Sequence, residues 1–368
     1  MLLLGSRPYL DEVAYARIAA LATGGIDWAY VLRQSVYHGT ATLLYRNLRH
    51  VDLPGNAMAL AQLRPIARTA ARRSLFLLGE LLKITAAFEA ARIPAMPLKG
   101  PILAISAYGD VAPRVFSDLD LLVRYCDLHR AANLLIALGF RCRHHKDWVE
   151  RYVRFGHELD FTSADDSVQV DLQWRFAKRW LSMPVDPTEV WRDARLTSID
   201  GRLVYQASPE LNLLILCGHG YRHGWSRLKW VMDICAFLHR YSNELDAIRL
   251  RDYARARGGL RLLKLGLWLA REIGGNTTHH LLEGCPRDDE VVRRLVRSIS
   301  ARLFMESSAG PRGSAGLFQT LLFHWRAKER LREKLPSAVP LLAHAGYLVR
   351  RQVRHHVSRI ARSSTGVS

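Results

Sequence analysis

The spacing of apolar and polar positions predicts a mixed chain, helical at both ends with a short run of strands between them. Residues 9–50 carry helical periodicity. Asp27 opens a helix whose apolar positions are Trp28, Val31, Leu32 and Val36 and, further on, Leu43, Leu44 and Leu48. Val51 to Gly55 reads as a break. A long helix is expected from about Ala57 to Ala91, with Leu75, Leu78, Leu81, Leu82 and Phe88 as its buried stripe. Pro94 to Leu98 reads as a short buried strand, Lys99-Gly100-Pro101 as a turn, and Ile102 to Tyr108 as one or two helical turns. A strand over Asp118 to Val123 follows, then a helix from Asp127 to Leu138 ended by Gly139, and a strand over Phe140 to Arg143. His157 to Phe161 and Val168 to Gln173 read as the two sides of a hairpin. From Pro209 onward the pattern is helical, interrupted by a Gly/Ser/Pro-rich loop from Ser307 to Gly316. The fold class this implies is α+β: a small mixed sheet in a core at 93–205, after an N-terminal helical region at 1–92. A helical domain at 206–306 and a basic helical segment at 307–368 complete it.

The chemistry concentrates in Asp118-Leu119-Asp120-Leu121-Leu122-Val123. Alternation along a strand sends Asp118 and Asp120 to one face and Leu119, Leu121 and Val123 to the other. Two like charges side by side raise each other's proton affinity. A divalent cation removes that penalty, and hard carboxylate oxygens suit Mg²⁺. Ion pairs with Arg114 or Arg124 would satisfy the same acids without metal. If the acids simply repel, Asp118→Asn or Asp120→Asn should leave the metal-free fold intact or more stable.

A strand, a glycine turn, a short helix and then a strand with Asp-x-Asp resemble the polymerase-β-like nucleotidyltransferases. Pro97-Leu98-Lys99-Gly100 followed by Arg114, Ser117 and Asp118-Leu119-Asp120 resembles, more narrowly, a bacterial family of uncharacterised nucleotidyltransferases. Where the superfamily has Gly-Gly or Gly-Ser at the turn, this chain has Lys99-Gly100-Pro101, as the narrower family does. The resemblance implies a Mg²⁺- or Mn²⁺-dependent transfer of a nucleoside monophosphate from an NTP to an acceptor. Asp118 and Asp120 would hold the metals, and a third carboxylate from a neighbouring strand would complete the site. Asp171 is the preferred third acid, because it sits in clean alternation with Val168, Val170 and Leu172 and ahead of Trp174; Asp160, in a more polar run, is its rival. Gln173 stands where the family pattern has a His. Lys99, Gly100, Arg114 and Ser117 are the implied nucleotide-binding residues. The resemblance extends through His219, His223, Trp230 and Asp233, expected either to face substrate near the cleft or to form a helix–helix contact. Cys217, His219, His223 and Cys235 have the element types for zinc, but their spacings match no standard site.

Composition narrows the picture less. Five cysteines with no CxxC pair suggest a reducing compartment. No run of 18 apolar residues appears, and Met1-Leu2-Leu3-Leu4 is too short for a signal peptide, so no transmembrane segment and a cytoplasmic location are expected. A net charge of +19 attracts nucleotides, nucleic acid and anionic lipid, though an arginine-rich composition alone produces it. Beyond Glu333 no acid occurs, while Arg350, Arg351, Arg354, Arg359 and Arg362 accumulate. That segment reads either as a weak nucleic-acid or membrane-surface contact or as a solvated helix packed by its apolar stripe. The acceptor is open among a small molecule, a glycan precursor, a peptide and RNA. The alternatives are a template-independent RNA nucleotidyltransferase and a non-catalytic basic binder of nucleic acid or membrane surface. The binder leaves unexplained two strand carboxylates that repel phosphate unless metal is present.

Overall fold

The computed structural model describes residues 1–304 except 23–24, 52–55, 144–152, 154–155, 178–182, 184, 277–278 and 284–288, together with 322–328 and 334. The chain begins with helices α1 (Leu2–Gly5), α2 (Glu12–Ala22), α3 (Trp28–His38), α4 (Ala41–Leu48) and the long α5 (Asn56–Ala90). The Asp27 carboxylate caps α3 by accepting the Tyr30 N–H at 2.9 Å. Gly39, with a left-handed φ of 70°, stops it. The continuous helix suggested by the apolar spacing of 28–48 is therefore two. α5 turns Leu77, Leu81, Ile84 and Phe88 inward, all at most 2% exposed, whereas Leu75 is 58% exposed. Of the expected stripe, Leu81 and Phe88 are buried, Leu78 and Leu82 flank the buried row, and Leu75 lies outside it.

β1 (Ala95–Leu98) leads through α6 (Gly100–Tyr108) to β2 (Leu119–Val123), and α7 (Leu128–Ala137) leads to β3 (Arg141–Cys142), β4 (Glu158–Thr162) and β5 (Gln169–Gln173). The sheet order is β1-β2-β5-β4-β3, with β2 and β5 parallel and the other neighbours antiparallel. One face of the central strands, with Leu119, Leu121, Val123, Val170 and Leu172, packs on α5 and α7. On the other face Met96, Leu98 and Leu122 join a second core shared with the C-terminal helices.

Beyond the sheet come α8 (Pro187–Arg192), β6 (Arg195–Ile199) and β7 (Arg202–Gln206). β6 and β7 form a hairpin over Asp200-Gly201, both at positive φ (49° and 76°), the conformation an Asp-Gly turn favours. The sequence reading assigned no strands here. The helical part is α9 (Pro209–Arg222), α10 (Leu228–Tyr241), α11 (Ala247–Ala256), α12 (Leu260–Glu272) and α13 (Glu290–Phe304). Residues 52–55 of the expected break, the doublets His144-His145 and His355-His356, Cys285, the loop over 307–316 and the basic stretch over 341–362 lie outside the described residues. Among the described residues no helix is long and apolar enough to cross a membrane.

Candidate functional site

The parallel pairing of β2 and β5 sets Asp120 directly beside Asp171, with Leu119 beside Val170 and Leu121 beside Leu172. Paired residues on adjacent strands share a face, so the two carboxylates stand on one side of the sheet about 5 Å apart at the backbone. Asp118 precedes β2 and points the same way by alternation. β4 lies on the far side of β5 and pairs Asp160 with Asp171, which places Asp160 one strand further from Asp120. Glu158, opposite Gln173, belongs to the same acidic row.

Asp120 and Asp171 are 5% and 9% exposed. Their charges are compensated unequally. The Lys99 ammonium sits 3.0 Å from Asp120 Oδ1, and Gln173 Nε2 donates to the same oxygen at 2.6 Å. Burial still raises the Asp120 pKa, Lys99 works against that, and Asp118 adds to it. Asp171 receives one neutral hydrogen bond, from Gln169 at 3.2 Å. Burial, with Asp120 next, pushes its carboxyl up to about 7. Gln173 thus bonds Asp120 directly. Because Asp120 is the partner of a buried lysine, the expectation that Asp120→Asn leaves the fold intact or more stable is reversed: that change strands an ammonium. For Asp171 the expectation of relief on neutralisation applies.

Lys99 reaches Asp120 from a strained turn, with φ 45° at Lys99 and 42° at Gly100. Glycine meets this geometry readily; lysine does not, and a non-glycine residue there costs roughly 1–3 kcal/mol. Gly100 lies against the Asp118 carbonyl, where an added Cβ would stand 3.6 Å away. The Lys99 carbonyl accepts the Leu103 N–H at 2.9 Å as α6 begins, so strand, turn and helix start are locked beside the acids. Ser117 is exposed, with its hydroxyl 3.5 Å from the Asp118 carboxylate.

The other side of the site comes from α9 and α10. His219 Nδ1 lies 3.3 Å from Lys99 Nζ, and burial followed by the Lys99 charge pushes the imidazole well below its usual pKa. A neutral ring accepts from the ammonium through Nδ1, leaving its proton on Nε2. His223 stacks on Trp230 with ring centroids 4.8 Å apart, and His219 meets both rings edge-on. His223 is solvent-exposed, yet desolvation and the cations Arg222, Lys99 and Lys229 hold its pKa at about 3.

Asp233 and Arg114 form a knot behind the site. Arg114 donates Nε to Asp233 Oδ1 at 2.7 Å and Nη2 to Oδ2 at 2.9 Å, and Tyr108 donates its hydroxyl to Oδ1 at 2.8 Å. Its remaining nitrogen faces the Gly100 carbonyl at 3.3 Å. Arg114 is 7% exposed, so its two-pronged contact is spent on Asp233 and braces the loop that delivers Asp118. The structure therefore brings Lys99, Gly100, Asp118, Asp120, Asp171 and His219 together, with His223 and Trp230 at the edge and Arg114 and Asp233 behind.

Sequence reasoning passed over Lys229, Arg222 and Glu158. Lys229 is half-buried, has no ion-pair partner among the described residues, and feels both Asp118 and Asp233. Burial, and Arg114 beside it, lower its pKa. Arg222 contacts His157 Nε2 at 3.0 Å and Glu158 at 3.7 Å. Glu158 is held at about 2: burial opposes its charge, but His157, Arg222 and Lys99 outweigh that. Neither cation has a local sequence signal, since Arg222 and Lys229 reach the site from 49 and 56 residues beyond the end of β5. Cys217 and Cys235 are buried thiols pushed up to about 12 by desolvation, with no zinc-like grouping among the described residues.

A divalent cation fits this chemistry. Paired buried carboxylates, one carrying a pKa near 7, need positive charge, and Lys99 supplies it on one side alone. No three His, Cys, Asp or Glu side chains among the described residues converge as a ready cage.

A family model described as an uncharacterised nucleotidyltransferase matches residues 24–275. No curated protein matches the chain. Among solved structures, ANT(2″)-Ia in complex with adenylyl-2″-tobramycin is similar over 62% of this chain and 98% of that one, at 15% identity and a TM-score of 0.28. The likeness is a loose one. The family match runs over most of the chain and takes in the carboxylates, lysines and histidines described above, so the chain belongs to this uncharacterised nucleotidyltransferase family and is an enzyme.

Proposed function

We propose that the enzyme moves a nucleoside monophosphate from an NTP to an acceptor in a Mg²⁺- or Mn²⁺-dependent reaction on the sheet face that carries Asp118, Asp120 and Asp171. The observation that carries this reading is the register of Asp120 against Asp171, which pairs two buried acids and leaves one of them short of counter-charge. Asp118, Asp120 and Asp171 would hold the cation, which when bound neutralises phosphate charge and acidifies the acceptor hydroxyl.

In the transfer the acceptor oxygen bonds to the α-phosphorus, the bond from that phosphorus to the bridging oxygen breaks, and pyrophosphate leaves. Asp171, on the sheet face beside Asp120, would take the acceptor's proton. Lys99, held between Asp120 and neutral His219, would counter the charge of the phosphates, with the His219 ring accepting from its ammonium. Lys229 meets the phosphates from the α10 side, and Gly100 and Ser117 from the turn and loop. Arg114 acts on the nucleotide through the loop it braces, and Asp233 holds Arg114 in place. His223, stacked on Trp230 and open to solvent, faces the acceptor or the base. The buried thiols suit a reducing, cytoplasmic setting.

Incubating cell extract with labelled NTPs, Mg²⁺ or Mn²⁺ and the enzyme, then identifying the product by mass spectrometry, tests this and names the acceptor. Label should enter a product with the native chain and not with Asp171→Ala. Equal labelling with both would overturn the assignment.

A further inference from the structure

A cavity of about 710 Å³ opens at the far ends of β2 and β5, lined by Arg124 and Tyr125 just past β2 and by Trp174 and Arg175 just past β5, with Trp191 of α8 opposite. It stands apart from the carboxylates. Trp174 is three residues beyond Asp171 and Arg124 four beyond Asp120, which is about 10–13 Å along strands rising about 3.3 Å per residue. Its volume lies in the range of small-molecule sites.

Two indole nitrogens beside the cavity have no acceptor among the described residues. Trp174 is 2% exposed, and its indole N–H has no hydrogen-bond partner among the described residues. The buried indole N–H of Trp191 has none either. Buried indoles ordinarily find an acceptor. The Arg124 guanidinium lies 5.3 Å from the centre of the Trp191 ring and has no carboxylate partner among the described residues. Arg175 lies 6.0 Å over Tyr125. By contrast Arg257, also on the wall, is matched by Asp186 and Glu189, each at 3.1 Å. The cavity therefore offers aromatic surface and a planar cation, Arg124, with no carboxylate partner among the described residues, while the lining acid Asp186 is engaged by Arg257.

We infer that this cavity is a second ligand site, for a planar aromatic ring bearing an anionic group. The ring stacks in the space beside Trp191, and Arg124 holds the anion with a charge-assisted contact. Nucleoside monophosphates and small aromatic carboxylates both have this chemistry. A free carboxylate or phosphate is unsuited to the acidic row around Asp120 and Asp171 in the absence of metal, so binding without metal isolates this cavity from the transfer site.

The test is calorimetric titration of the full chain with AMP and, separately, with 4-hydroxybenzoate, both in EDTA. At least one probe should bind, and its affinity should fall at least about tenfold in Arg124→Ala and in Trp191→Leu, the scale of a lost cation–π or charge-assisted contact. Asp171→Asn should bind it unchanged. Binding of AMP alone assigns a nucleotide, binding of 4-hydroxybenzoate alone assigns an aromatic acid, and binding of both supports the shared class. Arg124 is exposed and its replacement spares the core, so that variant stays informative if Trp191→Leu does not fold. The inference is overturned if neither probe binds at millimolar concentration, if Arg124→Ala binds as the native chain does, or if Asp171→Asn abolishes binding.

Discussion

On one face of the β2–β5 pair Leu119, Leu121, Val170 and Leu172 are fully buried; on the other, Asp120, Asp171 and Gln173 are 5%, 9% and 2% exposed. Depth does not separate the two faces. What separates them is the source of their stability. The apolar face gains from leaving water whatever the pH or ligand. The polar face keeps its charges only through partners, and those partners are distributed unevenly: Lys99 and Gln173 serve Asp120, while a single amide serves Asp171. A face balanced by exchangeable charge responds to a cation or a triphosphate. An apolar face cannot.

The largest effect expected lies on the apolar side. Leu121→Ala should cost about 2–5 kcal/mol of unfolding free energy in denaturant titrations, while turnover per folded molecule stays within a few-fold. A large loss of turnover with stability retained would mean that the two faces are not separable. On the polar side the order should invert. Asp171→Ala is expected to lose activity by about a hundredfold or more, the scale of one removed electrostatic stabiliser.

Smaller differences distinguish the acids from each other. Asp120→Asn leaves the Lys99 ammonium, 8% exposed, without its counter-ion and should destabilise the metal-free protein by about 3 kcal/mol. Asp171→Asn should instead stabilise it by about 1–3 kcal/mol above pH 7, since it removes an uncompensated charge. Melting curves in EDTA check both signs. The pH dependence follows from the same shift. A carboxyl raised from 3.8 to about 7 binds more protons folded than unfolded between those values, so metal-free stability should fall as pH rises through that interval and level off above it. The Asp171→Asn variant should lack that decline; if it shows the full native decline, the charge deficit lies elsewhere. The smallest effect should be that of Asp160→Ala, whose carboxylate stands one strand further out, with activity kept within a few-fold. A greater loss there than in Asp171→Ala would reassign the third carboxylate to β4.

Much of the sheet was legible because alternation along a strand is a strict signal. The residues flanking Asp118, Asp120 and Asp171 announced which face was apolar before any pairing was known. The β4–β5 hairpin was legible too, but its place in the sheet was not: nothing local says that β5 inserts between β2 and β4 and so sets Asp171, not Asp160, beside Asp120. In α5 the expected stripe rightly held Leu81 and Phe88, but periodicity cannot decide between Leu75 and Leu77 for the turn before them, and the structure buries Leu77. The β6–β7 hairpin did carry a signal, Asp200-Gly201, but its sides are largely polar, with Leu196 and Leu203 exposed, so no buried face advertised it. Arg114 looked like a phosphate ligand because its partner, Asp233, lies 119 residues away and only folding joins them.

The central claim is that the paired acids become a nucleotide site once a divalent cation is present. Calorimetric titration with ATP and with GTP, each with and without Mg²⁺, tests it most directly. Binding of at least one nucleotide should strengthen at least about tenfold with Mg²⁺, because without it Asp118, Asp120 and Asp171 repel the triphosphate, and Asp171→Ala should lose that gain. Equal affinity for both nucleotides with and without Mg²⁺ would contradict the account.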